Sequence, residues 1–294
     1  MQNEEIIRIN NLSVNYGSFM ALNITEPIVV NRGDKLGIIG SNGAGKTTLV
    51  KALLKVIHSD GDVHISVPEN RIAVHLQQNG YSGLLSVEEI METILGCKVE
   101  KHKKAMELIE FFNFKGSLKK KFQYLSGGQQ QRLTLILVLS QESDLVFFDE
   151  VTTGLDFITR QELLGLLKRW YDGSDTTLCY ITHYYEELKG LSNKLLLLDK
   201  GKVIDFGYQN ELFKKYCGNG IILLENSERN MLLAEGFKHI CAPNNEIALS
   251  FDSSDEELAI VKRLANANVD YKRSSEDIEI IYTNAIKAWE DKNK

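Results

Sequence analysis

The sequence predicts an α/β fold organised around a largely parallel, doubly wound sheet, and three features carry that expectation. Apolar runs of strand length alternate with stretches of helical periodicity, the pattern of strands joined by crossover helices. A glycine-rich turn, Gly40–Thr47, lies between the strand-like run Lys35–Ile39 and a helix-like stretch, Thr47–Ile57. A continuous apolar run, Leu145–Phe148, ends on Asp149 and Glu150. An uninterrupted apolar strand is expected where helices cover both faces of a parallel sheet.

Taken in order, Ile6–Ile9, Ile28–Val30 and Lys35–Ile39 read as strands, separated by turn residues such as Tyr16-Gly17, Pro27 and Gly33. After the Thr47–Ile57 helix come two further strand candidates, Val63–Val67 and Arg71–Leu76. From Ser86 to about Lys121 apolar residues recur at helical spacing among Glu and Lys. A helix over Gln129–Leu139 runs into the Leu145–Phe148 strand. A helix over Thr159–Trp170 then precedes the strand Thr177–Ile181. Near Tyr216 the texture changes: Gly218 and Gly220 interrupt the chain, and the remainder reads β-α-β-β-α-β-α, with strands at Ile221–Leu224, Ile247–Phe251 and Val269–Lys272. Residues 1–215 and 216–294 are therefore expected to be a main domain and a small α+β appendage.

Composition excludes several classes of function. The 294 residues are 43% hydrophobic and 25% charged, ordinary for a globular protein. No run approaches the roughly 18 apolar residues of a membrane span. The first residues, with Glu4 and Glu5, lack a signal-peptide pattern. The four cysteines, Cys97, Cys179, Cys217 and Cys241, have neither paired nor metal-like spacing, which predicts free thiols in a reducing, cytoplasmic setting. A net charge of −6 argues against general affinity for nucleic acid. The lysine clusters Lys98–Lys104 and Lys115–Lys121 read as solvated helix surface.

The turn Gly40-Ser41-Asn42-Gly43-Ala44-Gly45-Lys46-Thr47 fits the phosphate-binding loop pattern in its required strand–loop–helix setting. Glycines let the backbone curl until successive N–H groups point at phosphate oxygens. The helix that follows adds the positive end of its dipole. Lys46 is placed to reach the β- and γ-phosphates and the Thr47 hydroxyl to hold Mg2+; Thr48 completes the binding run. A second anion-facing element is Leu125-Ser126-Gly127-Gly128-Gln129, in which a capping serine and two glycines open a helix.

Together these motifs resemble the ATP-binding cassette (ABC) family over residues 6 to about 208, and the similarity is closest to cassettes of drug, peptide or antibiotic exporters. The resemblance implies a cassette ATPase fold with an antiparallel β subdomain and a helical subdomain at about residues 78–140. By that resemblance Ser126–Gln129 is the signature motif, Asp149 orients Mg2+, and Glu150 is the general base for the attacking water. His183, closing Ile181-Thr182-His183, resembles the switch histidine that contacts the γ-phosphate. Gln77 resembles the glutamine that touches Mg2+ and signals to a membrane partner, with the adjacent Gln78 as the alternative. Tyr16 resembles the aromatic that stacks on adenine, and Gly154-Leu155-Asp156 the loop that places Asp156 at the nucleotide. One position departs from the family: Val151 stands where proline usually follows the catalytic glutamate.

A single complete motif set implies two cassettes enclosing two ATP molecules about a two-fold axis, here as a homodimer. It also implies an integral membrane permease as partner, placing the chain on the inner face of the cell membrane. Export is favoured over import. The rival readings are a soluble cassette ATPase that remodels a protein partner, and a repair-type cassette, whose coiled-coil insertion is missing. The apolar residues Leu84, Leu85, Ile90, Ile94 and Leu95 are expected to be core in preference to lining a partner groove.

Overall fold

A computed structural model describes residues 4–75 and 81–293. The chain divides into two compact units, one comprising Met1–Ile9, Val29–Lys35 and Val63–Thr182, the other Asn10–Ile28, Leu36–Asp62 and His183–Lys294.

In the first unit three parallel strands lie side by side. Leu145–Asp149 is central, with Ile72–His75 on one flank and Thr177–Ile181 on the other. Every residue of Leu145–Asp149 and of Thr177–Ile181 is buried, as expected of interior parallel strands. The helix Gly127–Ser140 is buried over its whole second half, Leu133–Ser140. A helix apolar on all sides has to be enclosed. Between the strands and this helix the chain forms two shorter helices, Val87–Leu95 and Lys103–Phe111. Ser86 opens the first with a capping box: its side chain accepts from the Glu89 amide while Glu89 reaches back to the Ser86 amide. The first of these helices corrects the core expectation. Ile90 is buried, but Leu84, Leu85 and Ile94 are exposed (71%, 39% and 41%) and Leu95 is half-buried.

In the second unit Lys35–Gly40 pairs in parallel with Lys194–Asp199, which in turn pairs antiparallel with Lys202–Tyr208. The parallel register sets Gly40 opposite Leu198. An antiparallel hairpin, unread in the sequence, joins the end of the first strand (Glu5–Tyr16) to Phe19–Ile24 through the turn Gly17-Ser18. The helix after the glycine turn is shorter than expected, Lys46–Leu53, and stops just before Lys55, which adopts φ +56°.

The C-terminal segment of this unit forms a four-stranded antiparallel sheet in the order Lys238–Ile240, Glu246–Phe251, Gly220–Glu225, Lys272–Ser274. The element order is β-α-β-β-α-β, a split β-α-β arrangement. Ile222, Leu224, Leu249, Phe251, Ile260 and Leu264 form its core with the helix Ser254–Asn266. The last strand, Lys272–Ser274, begins three residues later than the expected Val269–Lys272, because Asn268 turns the chain at φ +51° after the helix. A final helix, Ile278–Lys292, is capped by Asp277, whose carboxylate accepts from the Ile280 amide.

His75, at the end of its strand and in register with Phe148, is 3% exposed. Burial pushes its pKa down to about 4, against a smaller upward pull from the Asp149 backbone. The unfolded chain therefore binds more protons than the folded one between about pH 6.5 and pH 4, so stability is lost as pH falls through that window. Urea unfolding at pH 7 and pH 4.5 is expected to show a smaller loss for His75→Leu than for the parent chain; equal losses would contradict it.

Candidate functional site

The second unit holds the glycine turn, and its geometry explains the residues found there. At Gly40 an added Cβ would lie 2.4 Å from the Leu198 carbonyl oxygen and 2.8 Å from the Ala44 Cβ, so the loop begins in direct backbone contact with the neighbouring strand. Gly45 adopts φ +100° as the residue preceding the helix, and its Cβ position is 3.1 Å from the Ala21 carbonyl oxygen. Only glycine meets both demands without strain. The loop is closed by the Ala44 amide donating to the Ser41 carbonyl at 3.0 Å. Lys46 is 7% exposed, and its ammonium donates to the carbonyl oxygens of Gly40 (2.8 Å) and Ser41 (3.1 Å). Asn42 and Gly43 are exposed, and Thr47 and Thr48 half-buried, on the rim of this cradle. A concave run of amides, a helix start and a gathered ammonium together suit a polyphosphate.

Tyr16 stands 51% exposed at the tip of the hairpin whose second strand backs Gly45, beside the exposed Phe19 and Met20. His183 is exposed, its ring 5.4 Å from that of Tyr184. One feature was invisible in the sequence: Tyr282 of the final helix reaches the loop, its hydroxyl accepting from the Ser41 amide at 3.0 Å.

The first unit holds Asp149, Glu150 and the Ser126–Gln129 motif. Asp149 ends its strand fully buried, in register with Ile181. Glu150 turns the chain at φ +53°, a left-handed conformation costly for a residue with a Cβ. Its amide is held by the Ile181 carbonyl at 3.0 Å and its carbonyl accepts from the Thr153 amide at 3.1 Å. Val151 now has a physical account. A proline would drive the preceding residue toward extended backbone, whereas valine leaves Glu150 free to turn and is itself completely buried. The Val151 carbonyl accepts from Gln131 Nε2 at 2.9 Å, and Gln131 Oε1 lies 3.2 Å from where a Gly154 Cβ would sit. Gln131, on the helix Gly127–Ser140, thus braces the Glu150 turn and leaves no easy room for a side chain at Gly154. Sequence reading passed over Gln131, because a glutamine on a helix gives no sign of its partner.

Ser126 caps that helix, accepting from the Gln129 amide, while Gln129 Oε1 accepts from the Ser126 amide at 3.1 Å. Gln129 also donates to Ser117 Oγ at 3.3 Å, so its side chain is engaged within the chain. Ser126, Gly127 and Gly128 face solvent, and a Cβ at either glycine would meet nothing within 4 Å. Asp156 caps the helix Phe157–Tyr171, accepting from the Thr159 amide and hydroxyl, bonds that hold its carboxyl below the ordinary range. Gln77 and Gln78 lie outside the described residues. Among the described residues no three His, Cys, Asp or Glu side chains cluster as a metal centre. Mg2+ bound to nucleotide needs no such cluster, since it draws on one or two protein ligands and the phosphates.

Residues 27–153 match the protein family described as ABC transporter. The methionine import ATP-binding protein MetN of Lactobacillus johnsonii is 30% identical over 70% of this chain and 66% of its own length. The molybdate/tungstate import ATP-binding protein WtpC of Thermococcus kodakarensis is 29% identical over 71% and 67%. The linearmycin resistance ATP-binding protein LnrL of Bacillus subtilis is 23% identical over 81% of this chain and 83% of its own. The chain spans about two thirds of the length of the first two. A solved structure of the ATP binding subunit of an ABC transporter superposes with a TM-score of 0.64 at 20% identity, covering 72% of this chain and 93% of that one. The fold is that of the ABC ATPases. The chain carries an ABC transporter ATP-binding domain, which is an ATPase module. Relatives named for import stand beside one named for antibiotic resistance, so an exporter subtype does not follow from them.

The left-handed turn at Glu150 makes a sharp expectation. Glu150→Gly is expected to be more stable than Glu150→Ala by about 1 kcal/mol in urea unfolding, the reverse of the usual order. Equal stability, or the usual order, would mean that the turn is not kept in solution.

Proposed function

We propose that this chain is the ATP-hydrolysing subunit of an ABC transporter, driving substrate movement through a separate membrane-spanning permease and sitting on its cytoplasmic side. Residues 1–215 serve as the cassette, with a helical subdomain at about 78–140, and residues 216–294 as an accessory domain. Ser41–Thr48 wrap the phosphates, Lys46 countering their charge. Tyr16 stacks on adenine. Thr47 and Asp149 supply the protein's side of the Mg2+ coordination, with Gln77 beside them; the metal's contribution is to neutralise charge building on the transferred phosphoryl group. Glu150 takes the proton of the attacking water and His183 donates to the γ-phosphate.

The observation that carries this reading beyond nucleotide binding is the open space at Gly127 and Gly128. Neither has a positive φ and neither is crowded by its own chain, so nothing internal calls for glycine. Two bare amides at the capped start of a 14-residue helix suit close approach by an anion from outside. A second copy's γ-phosphate is that anion, and the two chains close over two ATP molecules as a homodimer. Among the described residues no helix is long and apolar enough to cross a membrane. Exposed Leu84, Leu85 and Ile94 offer that permease an apolar contact. Export remains the direction proposed; the likeness to LnrL, named for linearmycin resistance, extends over more of this chain than those to MetN and WtpC, which are named for import.

Glu150→Gln removes the base while leaving nucleotide contacts in place. With ATP and Mg2+, light scattering is expected to give this variant twice the chain's mass, reverting when ATP is withdrawn. A persistent monomer at saturating ATP would contradict homodimer closure.

A further inference from the structure

Ser41, the second residue of the phosphate loop, has every polar atom committed. Its Oγ donates to Asp199 Oδ1 at 3.0 Å. Its carbonyl accepts from the Ala44 amide and from Lys46 Nζ. Its amide donates to the Tyr282 hydroxyl at 3.0 Å, and that hydroxyl in turn donates to the Leu198 carbonyl at 3.3 Å. Leu198 is the residue whose carbonyl presses on Gly40 and leaves no room for a Cβ. The phenol therefore bridges the strand end behind the loop and the Ser41 amide of the loop itself.

Tyr282 comes from 241 residues further along the chain, on the helix Ile278–Lys292, and the helix is fixed where it meets the loop. The rings of Tyr282 and Tyr185 lie 5.9 Å apart. Tyr185 is two residues beyond His183, in the short helix that follows it. Two residues before the helix, Glu276 pairs with Lys189 at 3.0 Å. Burial raises the pKa of both phenols, Tyr185 to about 12, so each stays protonated at neutral pH and the Tyr282 hydroxyl keeps the proton it donates.

We propose that Tyr282 is a positioning residue for ATP binding: its hydroxyl fixes the Ser41 peptide, and through it the curl of the phosphate loop and the resting place of Lys46. That amide belongs to the Gly40–Ser41 peptide, whose carbonyl Lys46 binds, while the next carbonyl, that of Ser41, takes both Ala44 and Lys46, so freeing the amide loosens the cradle before nucleotide arrives. An unformed cradle weakens capture of ATP, because part of the binding energy then orders the loop. Chemistry on bound ATP is not altered, since nucleotide holds the loop once seated. The C-terminal helix thereby sets the apparent affinity of a site distant from it in sequence. The inference rests on the reading of Gly40–Thr48 as the phosphate cradle.

The test uses the full chain in three variants. Tyr282→Phe keeps the ring and deletes only the hydroxyl. Thr283→Val, one position along the same helix, deletes a hydroxyl that bonds only within the helix, to the Glu279 carbonyl. Lys46→Ala tests the underlying assignment of the loop. Tyr282→Phe is expected to raise KM for ATP about fivefold, the net worth of one hydrogen bond, with kcat within about twofold of the parent, while Thr283→Val moves neither. Hydrogen exchange of the Ser41 amide in the nucleotide-free chain is expected to quicken about fivefold by the same measure in Tyr282→Phe, with the amides of Leu49–Leu53 unchanged. Unchanged KM and unchanged Ser41 exchange would overturn the proposal. A fall in kcat and melting temperature at constant KM would overturn it too, as a purely structural role. Normal ATP binding by Lys46→Ala would instead remove the assignment of the loop, and the exchange result, which needs no nucleotide, would still decide the Tyr282 contact.

Discussion

A lysine ammonium drawn into a curl of backbone is the interaction on which the rest of this structure turns. Lys46 is almost entirely buried, and its bonds run to the carbonyl oxygens of the loop that precedes it. The Gly40 and Ser41 carbonyl oxygens hold the ammonium within the curl of the loop. The curl needs a glycine where the backbone meets the Leu198 carbonyl and another where the chain swings into the helix at φ +100°. Those two positions fix the loop, the loop fixes the lysine, and the lysine fixes what class of ligand belongs there.

The first unit stores a different kind of constraint. A fully buried strand delivers Asp149 to its carboxyl end, and the next residue is forced into a left-handed turn. Such strain persists only where surrounding bonds over-determine it. Here the Ile181 carbonyl, the Thr153 amide and the Gln131 brace on Val151 do so. Because Gln131 lies on the helix Gly127–Ser140, that helix is hydrogen-bonded directly to the residue after Glu150.

Much of this was legible in the sequence because it is local. Gly40–Thr47 announces its loop through glycine spacing, and Leu145–Glu150 announces a buried strand through an unbroken apolar run ending in acid. Ser126 and Gln129 form the capping box that their three-residue spacing allows. What escaped is non-local. Tyr282 and Ser41 are neighbours only because a helix from the C-terminal sheet lies against the loop, and no periodicity encodes that. Val151 looked like an unexplained departure until the φ of Glu150 showed why an extended-favouring proline would be opposed there. Apolar spacing placed Leu84, Leu85 and Ile94 in the core, yet spacing says which residues share a face and not what covers it. The Phe19–Ile24 strand does not stand out in the sequence, although the Tyr16-Gly17 turn before it does, because Phe-Met-Ala-Leu-Asn-Ile has neither strict alternation nor an unbroken apolar run.

The claim that everything else requires is that the loop around Lys46 holds the triphosphate of ATP. Isothermal titration of ATP with Mg2+ into the full chain and into its Lys46→Ala variant tests it most directly. The account predicts saturable binding by the parent and a loss of at least about 100-fold in affinity for the variant, the scale of a hydrogen-bonded charge pair broken at a buried site. Equal affinity of the two chains for ATP would contradict it.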